Sequence, residues 1–138
     1  MLAALRRRRA QKAAAGCDDC AAKAGLLYDG GYNCAQAVLQ ATTGRSDPEL
    51  LAMAKAFGGG IGKSGCLCGA VTGGVMALGL SGRPELGGKL VAAFRGEFHT
   101  TCCRALSKDY RWLSREHKAH CRQLTVAAAG MVAKLLND

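Results

Sequence analysis

Cysteine is the residue type in this sequence best suited to chemistry, because eight cysteines occur among 138 residues. Two of them, Cys66 and Cys68, lie at the end of a glycine-rich loop within the stretch from Phe57 to Gly74. Glycine lets a backbone bend sharply and approach another group closely, and successive turn amides can form a concave anion site. The sequence therefore indicates a sulfur site at this loop, occupied by thiolates or by an anionic iron–sulfur cluster.

Two nucleotide-binding patterns use glycine in a similar way, and the spacing argues against both. A P-loop would require glycine at position 57, where this chain has phenylalanine. The dinucleotide pattern is matched in letters by Gly60, Gly62 and Gly65. That motif directly follows a β-strand, whereas Leu50–Ala56 has a helical composition. We expect no nucleotide at this loop.

The composition predicts an all-α fold and one domain over residues 1–138. Hydrophobic residues make up 49% of the chain, alanine is abundant and isoleucine occurs once, a composition that favours helix over strand. No apolar run approaches the roughly 20 residues that span a bilayer. We expect a soluble, compact bundle of five to six helices with the glycine-rich loop at the cysteine site.

The first twelve residues predict a basic N-terminal arm. Arg6–Arg9 and Lys12 supply five positive charges in a chain of net charge +9, and we interpret them as a frayed, solvated turn. Aromatic residues are only 5% of the chain, so we predict no nucleic-acid partner. No apolar segment typical of a signal peptide separates these arginines from Cys17. We expect a cytoplasmic protein, and clustered cysteines in that compartment more often bind metal or do redox chemistry than form structural disulfides.

Helical periodicity and capping residues predict the individual elements. Six longer helices are expected, over Ala10–Tyr28, Cys34–Thr43, Pro48–Phe57, Cys68–Gly79, Glu85–Phe98 and Ser114–Leu136, and a short helical segment ends at Leu106. Asn33 is the expected N-cap of the second helix, and Pro48 takes the first helical position of the third. Cys17 and Cys20 have the C-x-x-C spacing of redox and metal motifs, but on a continuous helix both belong to the buried stripe. Gly69 and Gly73 lie about one turn apart, which predicts close approach of another helix backbone.

Three cysteines, Cys34, Cys68 and Cys103, are predicted in first helical turns. The partial positive charge at a helix N-terminus favours a thiolate over a thiol. We therefore expect lowered pKa values at these positions.

Four cysteines also occur with characteristic neighbouring residues. They are Cys34 within Gly31–Leu39, Cys68 in Cys68-Gly69-Ala70-x-x-Gly73, Cys103 within Cys103–Leu106, and Cys121. In this order they resemble the C-GCAxxG-C-C family of redox-active proteins, and the resemblance covers roughly residues 28–136. It implies that these four cysteines form the functional set. It further implies a relation to the cysteine-rich module of split-Soret cytochrome proteins, where that module accompanies an iron–sulfur centre.

Two histidines are spaced four residues before two of these cysteines. His99 precedes Cys103 and His117 precedes Cys121, so on helices each pair shares a face. These imidazoles either ligate metal or hold their cysteines as thiolates. The competing interpretation is that both are surface histidines.

Three functions stay open on these residues. The first is an electron carrier or redox sensor, with an iron–sulfur cluster on four cysteines drawn from Cys34, Cys66, Cys68, Cys103 and Cys121. Around the sulfur we expect the loop amides of Gly59, Gly60, Gly62, Gly65 and Gly69. The second is a thiol–disulfide protein without metal, in which Cys34, Cys68, Cys103 and Cys121 are the redox-active thiols.

The third function is a structural zinc domain. Whether the protein is an oxidoreductase or a carrier is open. A redox protein is the expected partner, and the alanine-rich helix faces allow a homodimer.

Overall fold

The computed structural model describes residues 1–138 and contains helices but no strands, so the predicted all-α class is confirmed. The α-helices are α1 (Leu2–Ala15), α2 (Cys20–Asp29), α3 (Cys34–Thr43), α4 (Pro48–Lys55), α5 (Gly69–Leu80), α6 (Gly87–Phe98), α7 (Cys103–Leu106) and α8 (Arg115–Asn137). A 3₁₀ turn over Pro84–Leu86 precedes α6. The expected number of helices, five to six, is therefore too low. None of the helices is both long and apolar enough to cross a membrane.

The undercount arises mainly near the N-terminus, where the helix predicted over Ala10–Tyr28 is wrong. Two helices occupy this region, because α1 ends at Ala15 and Asp19 starts α2 by accepting a hydrogen bond from the Ala21 N–H at 3.1 Å. Cys17 lies in the break between them and Cys20 begins α2. Both cysteines are half-buried, so the predicted shared buried stripe does not form.

The basic N-terminal residues are part of α1, and the expectation of a frayed turn is wrong. Helix α1 contacts α2. The guanidinium of Arg6 donates to the carbonyl of Asp29 at the end of α2. The guanidinium of Arg7 lies 5.5 Å from the ring centroid of Tyr32, a cation–π geometry.

The expected starts of α3, α4 and α8 are confirmed. Asn33 and Gln36 form a reciprocal capping box at α3, with bonds of 2.9 and 3.0 Å between each side chain and the other residue's N–H. Pro48 occupies the first turn of α4. Ser114 caps α8 by accepting from the His117 N–H at 3.1 Å. The side chains of Asn33 and Ser114 thereby satisfy N–H groups that have no partner within the helix.

Helices α3 and α5 form the centre of the bundle, and α8 packs against both. A Cβ atom on Gly73 would lie 2.5 Å from the Ala35 carbonyl oxygen, and one on Gly69 would lie 2.4 Å from Cys34 Sγ. The predicted close packing at these glycines is therefore confirmed. It brings the N-terminal ends of α3 and α5 together, and with them Cys34 and Cys68.

Candidate four-cysteine redox site

Four cysteines from four different helices line one cavity of about 350 Å³. Cys34 begins α3, Cys68 immediately precedes α5, Cys103 begins α7, and Cys121 lies in the second turn of α8. Sequence reasoning selected these four, and the structure brings all of them to the same cavity. No aspartate or glutamate lines it.

The pKa values of these thiols are raised, which contradicts the expected lowering. Burial is the largest cause, and it raises the pKa of Cys34, Cys68 and Cys121 to about 12 and also raises that of Cys103. Negative charge on one thiol further opposes ionisation of its neighbours, and every pair among the four interacts in this way. Without a cation, the site therefore holds protonated thiols at neutral pH.

The helix N-termini do supply hydrogen-bond donors, as predicted. Backbone N–H groups of Cys34 and Ala35 lower the pKa of Cys34, and those of Ala70 and Val71 lower the pKa of Cys68. Their effect is smaller than that of burial. The expectation failed because a helix N-terminus stabilises a thiolate most when water also reaches it, whereas these sulfurs lie against the core.

Side chains that the sequence did not single out also donate to the sulfurs. Tyr28 forms a hydrogen bond with Cys121 and thereby lowers the pKa of that thiol. Ser107, which is buried, does the same for Cys103. Tyr28 belongs to α2 and Cys121 belongs to α8, so no local spacing relates these two residues. The phenol of Tyr28 could therefore be identified only once the helices are docked, whereas Ser107 lies four residues after Cys103, a spacing that could have indicated it.

His117 is buried beside Cys121, so the surface interpretation of this residue is wrong. Its Nδ1 accepts a hydrogen bond from the Leu113 N–H at 3.0 Å, which leaves the ring proton on Nε2. That nitrogen lies 2.9 Å from Ser107 Oγ and 3.5 Å from Cys121 Sγ. The four-residue spacing predicted this contact with Cys121. Burial lowers the pKa of His117, so the imidazole is neutral and a hydrogen-bond donor to the site.

His99 confirms the surface interpretation. It is exposed, ends α6 in a left-handed conformation with φ of 71°, and precedes α7 instead of sharing a helix with Cys103.

The glycine-rich loop contacts the site through only some of its glycines. Gly59 and Gly69 line the cavity, and a Cβ on Gly60 would lie 2.8 Å from that of Cys103. The N–H groups of Gly62 and Gly65 instead donate to the carbonyls of Ala56 and Gly59, at 2.7 and 3.0 Å. Those two amides therefore form hydrogen bonds within the loop. Glycine suits both positions because their φ values are 62° and 78°, in the left-handed region.

The remaining cysteines lie outside the cavity. Cys66 is exposed, and Cys102 is half-buried with its Sγ 3.4 Å from the Gly65 carbonyl oxygen. Cys17 and Cys20 lie at the α1–α2 break. In the chain as a whole, no three His, Cys, Asp or Glu side chains are arranged to coordinate a single metal ion.

The fold and the site define an all-helical protein with four clustered thiols. A family model described as "Putative redox-active protein (C_GCAxxG_C_C)" matches residues 32–135, and the chain belongs to this family. The resemblance read from the cysteines and their neighbours is thereby confirmed, and the family's description supports a redox role. Comparison with curated proteins and with solved structures gave no match.

Proposed function

We propose that this protein is an electron carrier or redox sensor that binds an iron–sulfur cluster through Cys34, Cys68, Cys103 and Cys121. The observation that carries the proposal is the convergence of four thiols from four helices on one cavity that has no carboxylate in its wall. Four cysteine thiolates are the usual ligands of [2Fe–2S] and [4Fe–4S] clusters. Cys66, the fifth ligand candidate, is exposed and does not line the cavity.

The raised thiol pKa values fit a site completed by a cation. Metal binding replaces the proton on each thiol, and iron would remove the mutual repulsion that opposes ionisation of Cys34, Cys68 and Cys121. The ligands of a cluster are shared among several iron atoms, so the four sulfurs need not converge on a single ion, and no three ligand side chains do so here. When bound, a cluster supplies one-electron redox chemistry.

The chain's own groups would set the reduction potential. Hydrogen bonds to the ligand sulfurs stabilise the more negative, reduced state of a cluster and raise its reduction potential. Burial destabilises that state and lowers the potential. Donors reach three of the four sulfurs through backbone N–H groups and the hydroxyl of Tyr28, and Ser107 donates to the fourth. The apolar side chains of Leu106 and Leu124 line the same cavity and limit access of water to the sulfurs.

A metal-free thiol–disulfide cycle is the second candidate, and the adjacency of Cys34 to the start of α5 favours it. Closing a disulfide from two thiols releases two protons and two electrons to an acceptor. The nucleophile in such exchange is the thiolate. Because burial raises the thiol pKa values to about 12, this reaction is slow at neutral pH, and we rank it second.

The test compares two serine variants of neighbouring cysteines after anaerobic reconstitution with iron and sulfide. Cys68→Ser removes a ligand inside the cavity, whereas Cys66→Ser removes an exposed thiol two residues away. We expect Cys68→Ser to lose most of its bound iron and sulfide and Cys66→Ser to match the wild type. Equal retention in both variants would contradict the assignment. An iron-free wild type with a reversible change in thiol count would favour the disulfide cycle.

A further inference from the structure

A second concavity lies beside the four-cysteine cavity. It has a volume of about 340 Å³ and its wall includes Lys63, Arg104 and Lys108. The two concavities share Gly59, Ser107 and Trp112 in their walls. They therefore form one continuous surface, which we call the mouth surface, and Trp112 lies where the two concavities meet.

The mouth surface is cationic and lacks compensating carboxylates. Arg6 and Lys118 line the first concavity, the three cations above line the second, and no aspartate or glutamate lines either. The ion pairs of the chain lie elsewhere: Arg45–Asp47, Arg83–Glu85 and Arg122–Asp29. Asp109 and Glu116 are near in sequence, but neither lines a concavity. Five cations thus line the mouth surface without an ion-pair partner.

Two exposed apolar residues share the mouth surface with these cations. Trp112 is 51% exposed and Leu113 is 63% exposed. Leu113 also has a φ of 63°, a left-handed conformation that is uncommon for a branched side chain. Its N–H bond to His117 Nδ1, at 3.0 Å, fixes this conformation. The bond therefore holds a large apolar side chain in solvent at the opening of the redox cavity.

We propose that the mouth surface is the docking site for an acidic redox protein that exchanges electrons with the four-cysteine site. This inference rests on the proposed function. An exposed tryptophan on a cationic surface suits a protein interface, in which the apolar anchor supplies affinity and the charges steer association. Docking there places the partner against Trp112 and Ser107, which also line the cavity of the four cysteines.

Nucleic acid fits this surface less well. Single-stranded binding uses several aromatic side chains on which successive bases stack. Here Trp112 packs against His117 with ring centroids 4.5 Å apart, and Tyr110 against His120 at 4.6 Å. At each, one ring face is therefore already occupied.

Trp112 is the only tryptophan, so its fluorescence reports docking directly. The probe is a purified acidic [2Fe–2S] ferredoxin, titrated at low and high salt, with a basic cytochrome c as the control protein. The test variant is Lys63→Glu/Lys108→Glu. The matched variant is Lys89→Glu/Arg95→Glu, which changes the net charge equally at exposed positions of α6 that line neither concavity.

We expect saturable quenching by the ferredoxin at low salt that is lost in about 0.5 M salt, where charges are screened beyond about 5 Å. The mouth variant should weaken binding about tenfold or more, and the α6 variant by less than about twofold. Four results would each overturn the proposal. The first two are an absence of quenching by the ferredoxin and an equal weakening of binding in both variants. The other two are quenching by single-stranded DNA of matched charge and a fluorescence change with the concentration of this protein alone.

The assay does not require a cluster in this protein, so the two proposals can fail separately. Iron is quantified on the same sample. An iron-free protein that still docks the ferredoxin through the mouth surface contradicts the cluster and supports the surface.

Discussion

Substitution of Gly73 by alanine tests the helix contact on which the site depends. The added Cβ would lie 2.5 Å from the carbonyl oxygen of Ala35 and 2.8 Å from its Cα. Both atoms are backbone, so no side chain can rotate away. An ordinary carbon–oxygen contact is about 3.3 Å, so α3 and α5 must separate by about 0.8 Å. Because these helices begin at Cys34 and Cys68, the two thiols move with them.

Overpacking of this kind costs about 1–3 kcal/mol, which for a chain of this length lowers Tm by about 4–12 °C. Gly79→Ala is the matched control, because it lies in the same helix and a Cβ there meets nothing within 4 Å. Alanine at that position should raise stability by up to about 1 kcal/mol. Thermal unfolding followed by circular dichroism measures both variants.

The reasoning would be refuted if Gly73→Ala matched or exceeded the stability of the wild type. Bound iron after reconstitution provides a second measurement on the same variants. It should fall in Gly73→Ala and stay unchanged in Gly79→Ala, because only the first separates α3 from α5.

Three further outcomes follow from individual contacts. Asn33→Ala removes the capping box of α3 and should lower the free energy of unfolding by about 1–2 kcal/mol, whereas Asp47→Ala, whose side chain caps nothing, should lower it less in the same urea titration. The metal-free protein should lose stability as pH rises from about 9 to about 12, because thiols such as Cys34 stay protonated in the folded chain until about 12 but ionise near 9.0 when unfolded. Tyr28→Phe removes a donor to Cys121 and should lower the reduction potential of the reconstituted protein, measured by voltammetry.

Each of these outcomes has a definite contrary result. Equal effects of the Asn33 and Asp47 substitutions would show that the cap does not stabilise α3. A flat stability profile above pH 9, unchanged by Cys34→Ser, would contradict the raised thiol pKa. An unchanged potential in Tyr28→Phe would remove the phenol from the groups that act on the sulfurs.

The parts of the fold that were predictable are those encoded by neighbouring residues. Asn33, Pro48 and Ser114 specify helix starts through local hydrogen bonds or a fixed φ, and the structure has helices there. The break before Cys20 carried a local signal too, since Gly16 and Asp19 are typical end and start residues. A regular alanine and cysteine spacing across the break concealed it.

The site was predictable only in part, for the same physical reason. Its four cysteines could be identified from their neighbouring residues, and His117 from its four-residue spacing to Cys121. Tyr28 could not be identified, because its contact with Cys121 depends on the docking of α2 against α8. The direction of the thiol pKa shifts failed because it is set by burial, which arises from tertiary packing and outweighs the helix N-terminus.

The most direct test of the central claim is a visible absorption spectrum of the anaerobically purified protein, with iron and acid-labile sulfide quantified on the same sample. A cluster held by Cys34, Cys68, Cys103 and Cys121 predicts broad sulfur-to-iron absorption together with iron and sulfide in equal, stoichiometric amounts. A colourless protein that binds neither iron nor sulfide, even after reconstitution, would contradict it.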